Sequence, residues 1–182
     1  MNSSRHLNTV IRGSRILAPL SLIAALIWPL VEVGWMLWTP APDLCREFSI
    51  HLTTGGSVIL KLWQRVALAT LAAVPALAAS MGLWALHRCF RFFTTGEFFS
   101  VQTIQSLRRC AGWTFCSVAL EFITHPMATG VLTANFPSGE HEILFSVGSH
   151  AFQTLLVAGT VWVISGAMAE AGRLADENAQ FV

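Results

Sequence analysis

Four long apolar runs separated by polar segments set the pattern of this chain, at residues 16–38, 66–86, 110–134 and 143–168. Each exceeds the roughly 20 residues that a helix needs to cross a hydrocarbon core of about 30 Å. The pattern predicts an all-α polytopic membrane protein: one domain, residues 1–182, with four transmembrane helices in two hairpins. The first run carries Pro19 and Pro29, which membrane helices tolerate when neighbours satisfy the freed carbonyls. Thr39-Pro40-Ala41-Pro42-Asp43 ends it, because proline removes ladder donors. The second run is rich in Ala and Leu, and Ala69, Ala72, Ala73, Ala76 and Ala79 would let another helix approach closely. On the fourth, Gly159, Ser165, Gly166 and Ala169 offer a similar contact, within the bundle or between copies in a homo-oligomer.

The polar segments differ in kind. In residues 39–64, Phe48, Ile50 and Leu52 alternate with polar positions, which reads as a strand or as a segment lying on the bilayer. The loop at 87–109 opens on a glycine-centred turn, Phe93-Thr94-Thr95-Gly96-Glu97-Phe98-Phe99. Ser100 follows as an N-cap, with Phe99 and Ile104 at staple positions. Val101, Ile104 and Leu107 then predict an apolar stripe on a helix running into the third span. The tail, 169–182, reads as a water-exposed continuation of the last helix.

Charge placement gives an orientation. With both termini and the 87–109 loop on one side, that side holds Arg5, Arg12, Arg15, Arg88, Arg91, Arg108, Arg109 and Arg173; the other holds Arg46, Lys61 and Arg65. Eight against three predicts both termini in the cytoplasm of a bacterial inner membrane. Trp35, Trp38 and Trp63 fall near the outer interface and Trp84 and Trp113 near the inner one, as interfacial indoles should. The basic start is no cleavable signal peptide on this reading, since its apolar run is too long and lacks a small-x-small cleavage site.

Composition agrees: charged residues make up 12%, against about 25% in soluble domains, and mean hydropathy is +0.59. A net charge of +1 argues against direct nucleic-acid binding. The four cysteines, Cys45, Cys89, Cys110 and Cys116, fit neither a disulfide framework nor a CxxC zinc motif and read as ordinary thiols.

The turn at 93–100 with Leu107-Arg108-Arg109 and Gly112, and the tail Gly172-Arg173-Leu174-Ala175-Asp176-Glu177-Asn178, together resemble domain-of-unknown-function family 2975, small bacterial four-helix membrane proteins. The chain departs from that pattern at Gln102-Thr103, Cys110-Ala111 and Gln180-Phe181. The resemblance implies no assigned chemistry. It does imply a membrane partner for a helix-turn-helix regulator, because some members are encoded beside such regulators.

Charged groups inside a bilayer cost about 2.5–3.5 kcal/mol on insertion scales and so need partners or a role. At about 1.5 Å per residue, Glu32 lies roughly 24 Å, Glu121 roughly 17 Å and His125 roughly 23 Å from the cytoplasmic ends of their helices, and His150 roughly 10 Å from the outer end of its own. Two carboxylates and two imidazoles at such depths form a candidate site for a divalent metal, a ligand or a proton. Glu140, His141 and Glu142 on the adjoining loop would add ligands. The competing reading is a buried hydrogen-bonded network that fixes helix packing. On the cytoplasmic side, Arg88, Arg91, Glu97, Arg108, Arg109 and Arg173 form a candidate surface for a protein partner or anionic lipid, or simply record positive-inside topology.

No P-loop, GxSxG, HExxH or dinucleotide fingerprint is present, so no enzyme is expected. The sequence reads best as a non-enzymatic membrane protein acting through partners, as an accessory subunit or a regulator's membrane partner. The alternatives are a metal- or ligand-binding sensor and a small transporter or oligomeric channel.

Overall fold

The computed structural model describes residues 3–48, 60–134 and 149–179, and these are helical apart from short turns. The helices are α1 (Ser3–Trp38), α2 (Ala41–Glu47), α3 (Leu62–Thr94), α4 (Val101–Thr133) and α5 (Ser149–Ala179). Four of them are long and apolar enough to cross a membrane. Within those stretches only 11–28% of residues are buried, and side chains such as Leu30, Val163 and Ile23 stand 72%, 70% and 51% exposed. A soluble chain would hide such surface, so the apolar faces are built for a lipid solvent.

Each long helix outruns its predicted span. α3 and α4 are 33 residues each, about 50 Å, so both continue well past a 30 Å core. α2 is helical, so the 39–64 segment does not begin as a strand, while Ile50 and Leu52 of the alternating stretch lie outside the described residues. Pro42 fits because it lies in the first turn, where no intrahelical N–H bond is lost. The remainder of that segment, from Ser49 to Ile59, and the start of the fourth predicted span, 143–148, fall outside the described residues.

α3 packs against α1 and against α4, and α5 packs against α4. Small residues spaced by sevens make the seams. Ser14, Ala18, Ser21 and Ala25 are the buried residues of α1 over that stretch, and Ala158 and Ser165 are those of α5. This spacing keeps one narrow face of each helix against its neighbour, and small side chains let the backbones approach. On α3, Ala69 and Ala76 are buried as expected, while Ala72, Ala73 and Ala79 are half-buried. On α5 the seam misses Gly159 and Gly166: a Cβ at either would meet nothing within 4 Å.

The apolar core gathers at one end. Met36, Ala41, Leu44, Cys45, Phe48, Leu60, Leu68, Ala69, Ala128 and Leu132 form one cluster from the end of α1, from α2, from the start of α3 and from the end of α4. Two adjacent side chains at the start of α3 close this end. Gln64 Nε2 donates to the Val131 carbonyl at 2.9 Å and to that of Leu132 at 3.5 Å, while its Oε1 accepts from the Lys61 N–H at 3.0 Å. Arg65 Nη1 donates to the carbonyls of Leu37 at 2.6 Å and Thr39 at 3.1 Å. Helix C-termini leave their last carbonyls without intrahelical donors. Gln64 and Arg65 supply donors to two such ends, α4 and α1.

At the other end, Gly96 takes φ +85°, a left-handed conformation that glycine adopts without a Cβ penalty. Ser100 caps α4 as expected: its Oγ accepts from the Thr103 N–H at 3.2 Å, and the Thr103 hydroxyl donates to the Glu97 carbonyl at 2.8 Å. The predicted staple does not form as a buried pair, since Ile104 is buried but Phe99 is 61% exposed. The stripe is also displaced: Thr103, Ile104, Ser106 and Ala111 are buried, and Val101 is exposed.

Candidate functional site

Glu32 lies seven residues after Ala25 on the α1 seam and is half-buried. It is six residues from the end of α1, about 9 Å along the axis. On α4, Ile104, Ala111, His125 and Leu132 fall on one line of sevens, and His125 is half-buried on it. Glu121, one turn before His125, is exposed. Glu32 stands within electrostatic range of two other carboxylates, Glu47 and Glu121. α1, α2 and α4 thus each contribute one acid to the same neighbourhood.

α2 folds against this region and supplies what the sequence reading did not single out. Glu47 Oε2 accepts a 3.0 Å hydrogen bond from Trp35 Nε1, which ties α2 to α1. Phe48, directly after α2, stacks at a tilt on His125, with ring centroids 5.1 Å apart. A helix after the Pro-rich break would have revealed Glu47, but the alternation of Phe48, Ile50 and Leu52 read as a strand or a segment lying on the bilayer. The three carboxylates make this neighbourhood electronegative.

The four predicted ligands are not drawn into one centre. Glu32 is within electrostatic range of Glu121, and His125 lies one turn after Glu121 on α4, while His150 is exposed in the first turn of α5. The described residues include no group of three or more His, Cys, Asp or Glu placed to hold a metal ion. Glu140, His141 and Glu142 lie outside the described residues. The four cysteines are free thiols: Cys45 and Cys89 are buried, Cys110 is half-buried and Cys116 is exposed.

The predicted partner-contact residues fare differently. Arg88, Arg91, Glu97, Arg108 and Arg109 are all exposed around the 95–100 turn. Arg173 is exposed too, but its guanidinium is held by Glu170 at 2.6 Å and Glu177 at 2.7 Å on its own helix. Such i,i+3 and i,i+4 pairs stiffen the helix rather than leaving a free charge. Gly172 sits where α5 passes the turn: a Cβ there would lie 3.6 Å from the Phe99 carbonyl oxygen. The turn and α5 therefore meet at Gly172 and Phe99. Comparison with known family models, curated proteins and solved structures finds no match for this chain.

Proposed function

We propose that the chain is a non-enzymatic, four-span protein of a bacterial inner membrane that acts through protein partners. Its spans form two hairpins with both termini in the cytoplasm. The charge asymmetry along the sequence supports this orientation. The hairpin reading is supported by Gln64 and Arg65, which join the start of α3 to the ends of α4 and α1, and by Gly172, which joins α5 to the start of α4.

One observation carries the partner reading: Gly172 brings the end of α5 against Phe99. The turn and the tail are the two segments that resemble family 2975, and they meet at Phe99 and Gly172. Phe99 and Glu97 are exposed on the turn, and Arg173 and Leu174 are exposed on α5 next to Gly172 in the chain. The partner is an accessory-complex subunit or a helix-turn-helix regulator held at the membrane.

Photo-crosslinkers at Glu97 and Arg173, used one at a time in native membranes, test the reading. Both positions should capture the same protein. Adducts to lipid alone from both positions would sink it. For the metal-sensor alternative, the described residues hold no three-ligand group, and Glu140, His141 and Glu142 lie outside them.

A further inference from the structure

Six arginines converge at one end of the molecule, and among the described residues none of them is paired with an acid. Arg12 and Arg15 open the first span, Arg88 and Arg91 lie in the last turns of α3, and Arg108 and Arg109 lie in the first turns of α4. All six side chains are exposed. Among the described residues the ion pairs are those of Arg173, and none of the six takes part in one.

Helix contacts bring them to the same end, within roughly 8 Å of depth. His87 Nδ1 lies 2.7 Å from the Ala18 carbonyl, which sets the start of α1 beside the end of α3. A carbonyl oxygen can only accept, so Nδ1 carries the proton in this contact. Gly82 passes the Cys110 carbonyl closely enough that a Cβ would lie 3.4 Å from it, which sets α3 beside the start of α4. Trp84 and Trp113 stand at that same level, both exposed. The Arg88 guanidinium lies over the Trp84 ring, 5.7 Å from its centroid.

We infer that these arginines form a girdle that binds the phosphate groups of anionic phospholipids. Depth favours lipid over an acidic protein. Indole rings settle at the base of the headgroup layer, which is about 5–8 Å thick on each side. Arg88 lies about 6 Å beyond Trp84, and Arg109 and Arg108 about 6–8 Å beyond Trp113 in the same direction. Those are phosphate depths. The guanidinium fork suits phosphate oxygens bidentately, and among the described residues no internal acid has to be displaced first. Gly96 stands about 12 Å further out than Arg88, which leaves the turn–tail surface free for a protein. The inference is independent of the partner reading, because it concerns the protein alone in lipid.

The test uses purified full-length protein in detergent with equal phosphatidylglycerol and phosphatidylcholine, and native mass spectrometry to read retained lipid. The wild type should retain phosphatidylglycerol preferentially, and the preference should fall as sodium chloride rises. Each guanidinium near an anionic surface contributes about fivefold, so R88Q/R108Q/R109Q should lower the preference by about a hundredfold. R88K/R108K/R109K should keep most of it, and R46Q/K61Q at the other end should leave it unchanged. Equal retention of the two lipids overturns the inference, as does an unaltered preference in the glutamine variant or an equal loss in R46Q/K61Q. Should the glutamine variant fail to fold, the wild-type salt titration decides: a salt-insensitive preference overturns the girdle. Capture of an acidic protein from positions 88 and 108 in native membranes, with no phosphatidylglycerol preference, also overturns it.

Discussion

Gln64 and Val131 lie 67 residues apart in sequence, yet the Gln64 side-chain amide donates to the Val131 carbonyl at 2.9 Å. Gln64 is 1% exposed and bridges two helix ends: its Oε1 takes the Lys61 N–H at the start of α3, and its Nε2 adds a donor to the last turn of α4, where the Val131 carbonyl also accepts from the Ala134 N–H at 3.4 Å.

Gln64→Ala should therefore destabilise the protein by about 1–2 kcal/mol, at the upper end for membrane helix–helix hydrogen bonds. Gln64→Glu should cost more, because a carboxylate would face carbonyl oxygens without a proton to donate. Unfolding by dodecyl sulfate titration in mixed micelles measures both. Wild-type stability in Gln64→Ala would remove the clamp from the account.

Gly82 marks the closest passage of α3 by α4, with Thr114 Oγ1 at 3.4 Å and Trp113 Cβ at 3.5 Å from where a Cβ would stand. These are ordinary van der Waals distances, so Gly82→Ala should be accommodated, within about 1 kcal/mol of wild type. Gly82→Leu should force the helices apart at a cost of about 1–3 kcal/mol. Thermal unfolding in detergent separates the two variants.

Gly96→Ala should cost about 1–2 kcal/mol, because φ +85° drives a Cβ toward the following carbonyl. Gly96→Asn should recover part of that loss. A limited-proteolysis time course at the turn, combined with melting temperature, reads the loosening of the α3–α4 connection.

Cys45 lies on α2, outside the four long spans, and is fully buried. Burial pushes its thiol pKa up, so thiolate is scarce at about pH 8, where an exposed cysteine reacts readily. With Cys89, Cys110 and Cys116 replaced by alanine, maleimide labelling of Cys45 should be slow in the native state and complete after denaturation. Rapid native labelling would mean that α2 does not stay docked.

Much of the fold was written in the pattern of apolar residues. Four stretches too long and too apolar for water dictate membrane-crossing helices, and the Gly96 turn and Ser100 cap follow from local backbone chemistry that needs no distant partner. Glu121 and His125 were also legible as a pair, since four residues make one helical turn.

What the sequence could not decide were relations across helices. Small residues occur on several faces of α5, and only packing selects Ala158 and Ser165 over Gly159 and Gly166 as its seam. Nothing in the sequence singled out a helix directly after the Pro-rich break, whereas the structure docks α2 into the cluster through Ala41, Leu44 and Cys45. That docking places Glu47 beside Glu32 and Phe48 on His125. Tertiary structure likewise joined Phe99 to Gly172. The physical reason is the same throughout: periodicity fixes what each segment can bury, but which groups meet depends on how the helices align.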